Sequence, residues 1–168
     1  MENTNITPAI VAVCGSKNSG KTTLIEAVLP HLARAGLNVA VIKHHGHKLD
    51  PDVRGTDTYR FNHNGAYGTV ITDDDCFMLV KYGRTDERAL MRYFPEADLI
   101  LLEGYKESGW PKIEMRRDAA VSVCDTKTLI AVVTDGIVPE RDIPVFAYAD
   151  SAGVAGFLIA RQRSAASE

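Results

Sequence analysis

The chain has 168 residues, 45% of them hydrophobic, and a formal net charge of −3. That length suits one domain with a full core, and the slight acidic excess argues against a general nucleic-acid binder, which is ordinarily basic. No stretch is long and apolar enough to cross a membrane as a helix.

Residues 1–8 are polar and lack a basic start and an apolar run, so no signal peptide is expected. The three cysteines, Cys14, Cys76 and Cys124, form no CxxC pair, which predicts reduced, packed thiols in a cytoplasmic protein. An apolar run over residues 9–14 predicts a buried first strand. It leads into Gly15, Ser16, Lys17, Asn18, Ser19, Gly20, Lys21 and Thr22, which fill G-x-x-x-x-G-K-T at every fixed position. Glycines at both ends allow backbone conformations that a Cβ blocks. Successive N–H groups can then cradle phosphate oxygens at the positive end of the following helix. Lys21 is placed to reach the β- and γ-phosphates and Thr22 to ligate Mg²⁺, with Thr23 beside them in the phosphate-binding set.

The first helix is expected over residues 21–35, with Leu24, Ile25, Val28, Leu29 and Leu32 as its packed stripe. Pro30 should kink it, at about 3 kcal/mol. Residues 38–43 form a near-continuous apolar run of the kind found in parallel strands buried on both faces. The polar stretch 43–57 follows, holding His44, His45, His47, Asp50, Asp52 and Asp57. Beyond it the pattern predicts a short helix (56–64), two strands that can pair as a hairpin (67–72 and 76–81) and another short helix (85–94). Strands are then expected over 98–103, 112–116, 129–133 and 145–148. Asp150 and Ser151 can cap a closing helix to about residue 160, and residues 161–168 are expected to fray. Alternating apolar strands and helices make a single α/β domain, a three-layer sandwich on a mostly parallel sheet of the P-loop NTPase type. A ligand belongs beyond the carboxyl ends of its strands.

Four aliphatic residues ending in Glu103 have the shape of a Walker B strand, and its carboxylate is the candidate to hold Mg²⁺ or to polarise an attacking water. Aspartate is commoner there. Gly104 lets a backbone N–H approach a phosphate. Asp135 could accept both donors on the edge of guanine in a fork, or it could serve the Asp135-Gly136 turn; the fuller guanine motif is absent. His44, His45 and His47 suit a metal such as zinc or nickel or a polar loop over the nucleotide. Asp50, Asp52 and Asp57 are candidates for an added magnesium ligand. Lys106, Lys112 and Arg116 either hold a second anionic ligand or are solvated charges.

With these motifs in order, residues 9–150 resemble the molybdopterin-guanine dinucleotide biosynthesis protein B family. The resemblance rests on residues 15–22; on Ile42, Lys43 and His44 with His45 and His47; on Asp50, Pro51 and Asp52; and on Gly55 with Asp57. It continues through Gly65 and Ala66, through residues 98–103 with Gly104, Tyr105 and Lys106, and through Pro111, Lys112, Ile113 and Glu114. Thr56 departs from the lysine usual in the family beside that glycine, which weakens a phosphate role there. The resemblance implies GTP binding with Mg²⁺, slow hydrolysis, a homodimer, and assistance to a separate guanylyltransferase that attaches GMP to molybdopterin. It makes molybdopterin or its guanine dinucleotide a candidate ligand, assigns Thr22 and Glu103 to Mg²⁺, and puts Asp135 where the base is read. No glutamine or arginine is clearly placed for fast hydrolysis, where an arginine finger contributes about 10³–10⁵ in rate. The competing readings are a metal-insertion GTPase using the histidine loop, a small-molecule kinase preferring ATP, and a binding module without useful hydrolysis.

Overall fold

The computed structural model describes residues 7–49, 51–117, 122–136 and 142–166. The chain forms two compact units, one from residues 1–44 and 90–168 and the other from residues 45–89.

The first unit is built on a sheet of six strands: β1 (Ala9–Gly15), β2 (Val39–Lys43), β5 (Leu99–Glu103), β6 (Lys112–Met115), β7 (Leu129–Val133) and β8 (Val145–Phe146). Their order is β2-β5-β1-β6-β7-β8, and every neighbouring pair is parallel. Side-chain alternation divides the core in two. Val11 and Val13 of β1, Leu99 and Leu101 of β5, and Ile113 and Met115 of β6 face α1 (Lys21–Arg34) and α4 (Ser151–Ala165). Those helices contribute Leu24, Ile25, Val28 and Leu32, and Val154, Ala155 and Leu158. Ala12, Ile42, Ile100 and Leu102 face the other way, against Leu90, Met91, Tyr105 and Trp110. Leu90 and Met91 end the short helix α3 (Glu87–Met91), so this outer layer is thin.

Two expectations are corrected. The run 39–43 is not buried on both faces: β2 is the sheet edge, and Val41 is 37% exposed. Pro30 lies inside α1, which runs unbroken over Lys21–Arg34. The closing helix does not fray after residue 160 but runs to Ala165, because Gln162 is buried and Ala165 packs on the core. Asp150 caps it by accepting from Gly153 N at 2.8 Å.

The second unit carries α2 (Asp57–His63) and the antiparallel pair β3 (Gly68–Thr72) and β4 (Phe77–Lys81). Thr56 caps α2 by accepting from Tyr59 N at 3.3 Å, which gives this departure from the family pattern a local role. Val70, Ile71, Phe77 and Met78 of the hairpin are exposed. No helix among the described residues is long and apolar enough to cross a membrane.

Candidate functional site

The turn after β1 needs its glycine. Gly15 has φ +145°, and a Cβ there would stand 2.6 Å from both Met115 O and Ser19 Oγ. Asn18 (φ 61°) and Gly20 (φ 92°) are also left-handed. Gly20 starts α1 with no side-chain cap, and no acidic residue lies in the first turn. The leading N–H groups of a 14-residue helix therefore remain available to an anion. Ser19 Oγ is buried and has no hydrogen-bond partner among the described residues. Lys21 Nζ lies over the loop, donating to Ser16 O at 2.6 Å and Gly15 O at 3.2 Å. A glycine-closed cradle, an uncapped helix start and a mobile-stemmed ammonium are the donor set a polyphosphate requires.

The second half of the site follows from strand register. Glu103 continues the Leu99, Leu101 side of β5, so its carboxylate emerges under the first turn of α1. There Thr22 Oγ1 donates to Glu103 Oε1 at 2.8 Å. Lys43, paired with Glu103 across β2–β5, stands on the same face. Its Nζ reaches Glu103 Oε1 at 2.9 Å and Thr22 Oγ1 at 3.2 Å. The carboxylate is nearly buried, at 7% residue exposure, while the Lys43 side chain is 50% exposed. A hydroxyl and a carboxylate oxygen meeting at one point, already occupied by a cationic group, fit the ligand set of Mg²⁺. Gly104 (φ 97°) turns the chain away after donating its N–H to Val13 O at 2.9 Å.

Residues 10–135 match the family described as molybdopterin guanine dinucleotide synthesis protein B. The chain belongs to that family. It is 29% identical over 160 residues to a probable molybdopterin-guanine dinucleotide biosynthesis adapter protein of Bacillus subtilis, covering 90% of this chain and 92% of the relative. It is likewise 29% identical over 161 residues to the adapter protein of Escherichia coli, covering 89% and 91%. The crystal structure of Bacillus subtilis MobB superposes with a TM-score of 0.76 at 29% identity, covering 91% of this chain and 97% of that one. The sheet is the mostly parallel one the sequence predicts.

In this family member the other candidates are dispersed. Asp135 follows β7, and its Oδ1 accepts from Tyr148 N at 2.9 Å, while Tyr148 donates its hydroxyl to Ser19 O at 3.2 Å. Asp135 is thus linked to the loop of residues 15–22 through one residue, with one oxygen engaged among the described residues. The exposed Arg117 places its guanidinium 5.1 Å from the Tyr148 ring centroid. Lys106 is exposed and pairs with Glu107 at 3.7 Å. Lys112 is fully buried: Nζ donates to Ser108 O, to Trp110 O at 3.0 Å and to Thr128 Oγ1 at 2.9 Å. It stands at the start of β6, three residues and about 10 Å of strand before the sheet's carboxyl edge, so the structure does not bring it to the loop. Arg116 is buried too, its Nε 2.6 Å from Glu114 Oε2. Neither is a solvated charge.

Asp52 belongs to the second unit and serves it locally. Oδ1 accepts from Val53 N, Thr56 Oγ1 and Thr58 Oγ1, and Oδ2 from Asn62 Nδ2, at 3.0–3.2 Å. Burial pushes this carboxyl up, but the hydrogen bonds from Thr58, Asn62, Thr56 and Val53 outweigh it and hold the group below the usual carboxylate range. Asp50 lies outside the described residues. His45 and His47 set their rings edge to face at 5.7 Å, and His44 meets Tyr105 at 5.6 Å. Among the described residues, the histidines enter no group of three metal-ligating atoms. Lys43 is the site residue that sequence reasoning did not single out for chemistry. Its signal was a strand ending in a cation, the counterpart of β5 ending in Glu103.

Proposed function

We propose that the chain binds GTP with Mg²⁺ on the loop of residues 15–22 and serves as an adapter in molybdenum-cofactor biosynthesis, assisting the guanylyltransferase that joins GMP to molybdopterin. Family membership and its likeness to proteins named as molybdopterin-guanine dinucleotide biosynthesis adapters support the role in that pathway. The observation that carries the nucleotide reading is the 2.8 Å contact between Thr22 and Glu103 at the mouth of the glycine-closed loop.

In this reading the backbone N–H groups at the start of α1 hold the phosphates. Lys21 exchanges the loop carbonyls for phosphate oxygens. Thr22 and Glu103 hold the metal, which supplies charge neutralisation between the β- and γ-phosphates. Asp135 reads the base with the oxygen that Tyr148 leaves free. Hydrolysis is slow, since positioning and electrostatics without an arginine finger give little rate. The homodimer implied by the resemblance belongs to the same proposal; the exposed apolar hairpin side chains are a surface that self-association can cover.

Calorimetry with Mg²⁺-GTP and Mg²⁺-ATP on the wild type, Lys21→Ala and Asp135→Ala tests the reading. It predicts GTP preference, loss of binding without Lys21, and loss of preference without Asp135. ATP preference in the wild type contradicts the guanylation role and favours a kinase. Stimulation of a purified guanylyltransferase by the wild type and not by Lys21→Ala tests the adapter role.

A further inference from the structure

Behind the phosphate loop, on the sheet face turned away from α1, two cysteines meet. Cys14 is the last residue before Gly15 and is fully buried. Cys124 comes from the segment leading to β7, 110 positions along the chain, and is half-buried. The Cys14 thiol donates to Cys124 Sγ at 2.9 Å. Glu114, opposite Cys14 in the β1–β6 register, completes a group whose ligand atoms lie within 4.8 Å of one another.

Such a group could hold a soft metal ion or form a sulfur–sulfur bond, and the geometry separates the two. Thiolates sharing a tetrahedral zinc ion at about 2.3 Å each stand about 3.8 Å apart, well beyond the separation found here. Bond formation asks only for further approach, to about 2.05 Å. Glu114 is also committed elsewhere. Its Oε2 accepts from Arg116 Nε at 2.6 Å and Ser122 Oγ at 2.9 Å, and its Oε1 from Val123 N at 2.6 Å. A carboxylate already neutralised by a buried guanidinium is a poor third ligand.

We infer that Cys14 and Cys124 form a dithiol modification site that reacts with low-molecular-weight disulfides and closes to an intramolecular disulfide behind the phosphate loop. Cys124 is the entry point. It is the more accessible sulfur, and the hydrogen bond from Cys14 holds its thiol down while the same bond, burial and nearby charge push Cys14 up. The Cys124 thiolate attacks one sulfur of the incoming disulfide, whose S–S bond breaks to release one thiolate and leave a mixed disulfide. Cys14 then attacks the Cys124 sulfur, expels the second thiolate and passes its proton to it. Two protein thiols are oxidised, and one small disulfide is reduced to two thiols. The new bond ties the end of β1 to the segment entering β7.

The test uses the full chain carrying Cys76→Ser, which removes the exposed third thiol. The reduced protein is incubated with oxidised glutathione, quenched with acid, alkylated and read by intact mass and peptide mapping. We expect a linked peptide pair containing Cys14 and Cys124, a mass lower by two hydrogens, and no retained glutathione. Cys14→Ser on the same background is expected to stop at the glutathione adduct on Cys124. Glutathione retained on Cys124 while Cys14 is present, or both thiols still open to alkylation, overturns the inference. So does one Zn²⁺ per reduced chain that protects both thiols from oxidation, since that makes the group a metal centre. The first two readouts need no substitution within the pair.

Discussion

Lys43 Nζ and Glu103 Oε1 stand 2.9 Å apart across neighbouring strands, and the same ammonium reaches Thr22 Oγ1. This tethered cation sits on the two side chains proposed for Mg²⁺. Lys43→Met therefore lowers the Mg²⁺ concentration needed for tight GTP binding. The pair is half open to water on the Lys43 side, so folding stability falls by only ~0.5 kcal/mol. GTP titrations at graded Mg²⁺, with chemical denaturation of the same variant, check both parts.

Gly15→Ala places a methyl group 2.6 Å from a backbone carbonyl and from Ser19 Oγ, at a φ that side chains avoid. The loop must move to admit it. A stability loss of about 1–3 kcal/mol is expected from the overpacking, together with loss of GTP binding. Thermal unfolding and calorimetry read the two effects. The same change at Gly36, where a Cβ meets nothing within 4 Å, leaves GTP binding intact.

Lys112→Met separates a structural lysine from a ligand-binding one. Its ammonium holds two carbonyls and a hydroxyl inside the fold, and losing these bonds costs about 1–3 kcal/mol. GTP affinity and stimulation of the guanylyltransferase stay at wild-type values under conditions where the variant is folded. Loss of function without loss of stability would return Lys112 to the ligand.

The unit of residues 45–89 is predicted to be acid-labile. Asp52 and Asp73 are both held below the usual carboxyl value of 3.8, Asp73 by N–H groups of Asp75 and Cys76. Because the folded value lies below the unfolded one, their contribution is full above 3.8 and is lost as pH falls through the lower, folded value. Amide exchange in α2 and the hairpin should quicken there, and Asp52→Asn should weaken protection at neutral pH while flattening the acid limb.

Much of this site could be read in the chain because local chemistry dictates it. Two glycines, a lysine and a threonine at fixed spacing after an apolar run define the loop, and β7 runs over Leu129–Val133 as its apolar pattern predicts. Facts of pairing could not be read. Nothing in residues 39–43 says that β2 is an edge, and the Lys43–Glu103 contact depends on β2 lying beside β5. Lys112 reads as an anion ligand or a solvated charge until the carbonyls of Ser108 and Trp110 fold over it. Arg161 and Arg163 make the last turns of α4 look frayed, although Gln162 between them is buried. Cys14 and Cys124 are brought together only by the sheet order.

The most direct test of the central claim is GTP affinity measured with and without Mg²⁺, on the wild type and on Thr22→Ala. If Thr22 and Glu103 hold the metal beside the phosphates, Mg²⁺ strengthens binding to the wild type and has little effect on the variant. Equal Mg²⁺ dependence in both proteins, or none in the wild type, would contradict the account.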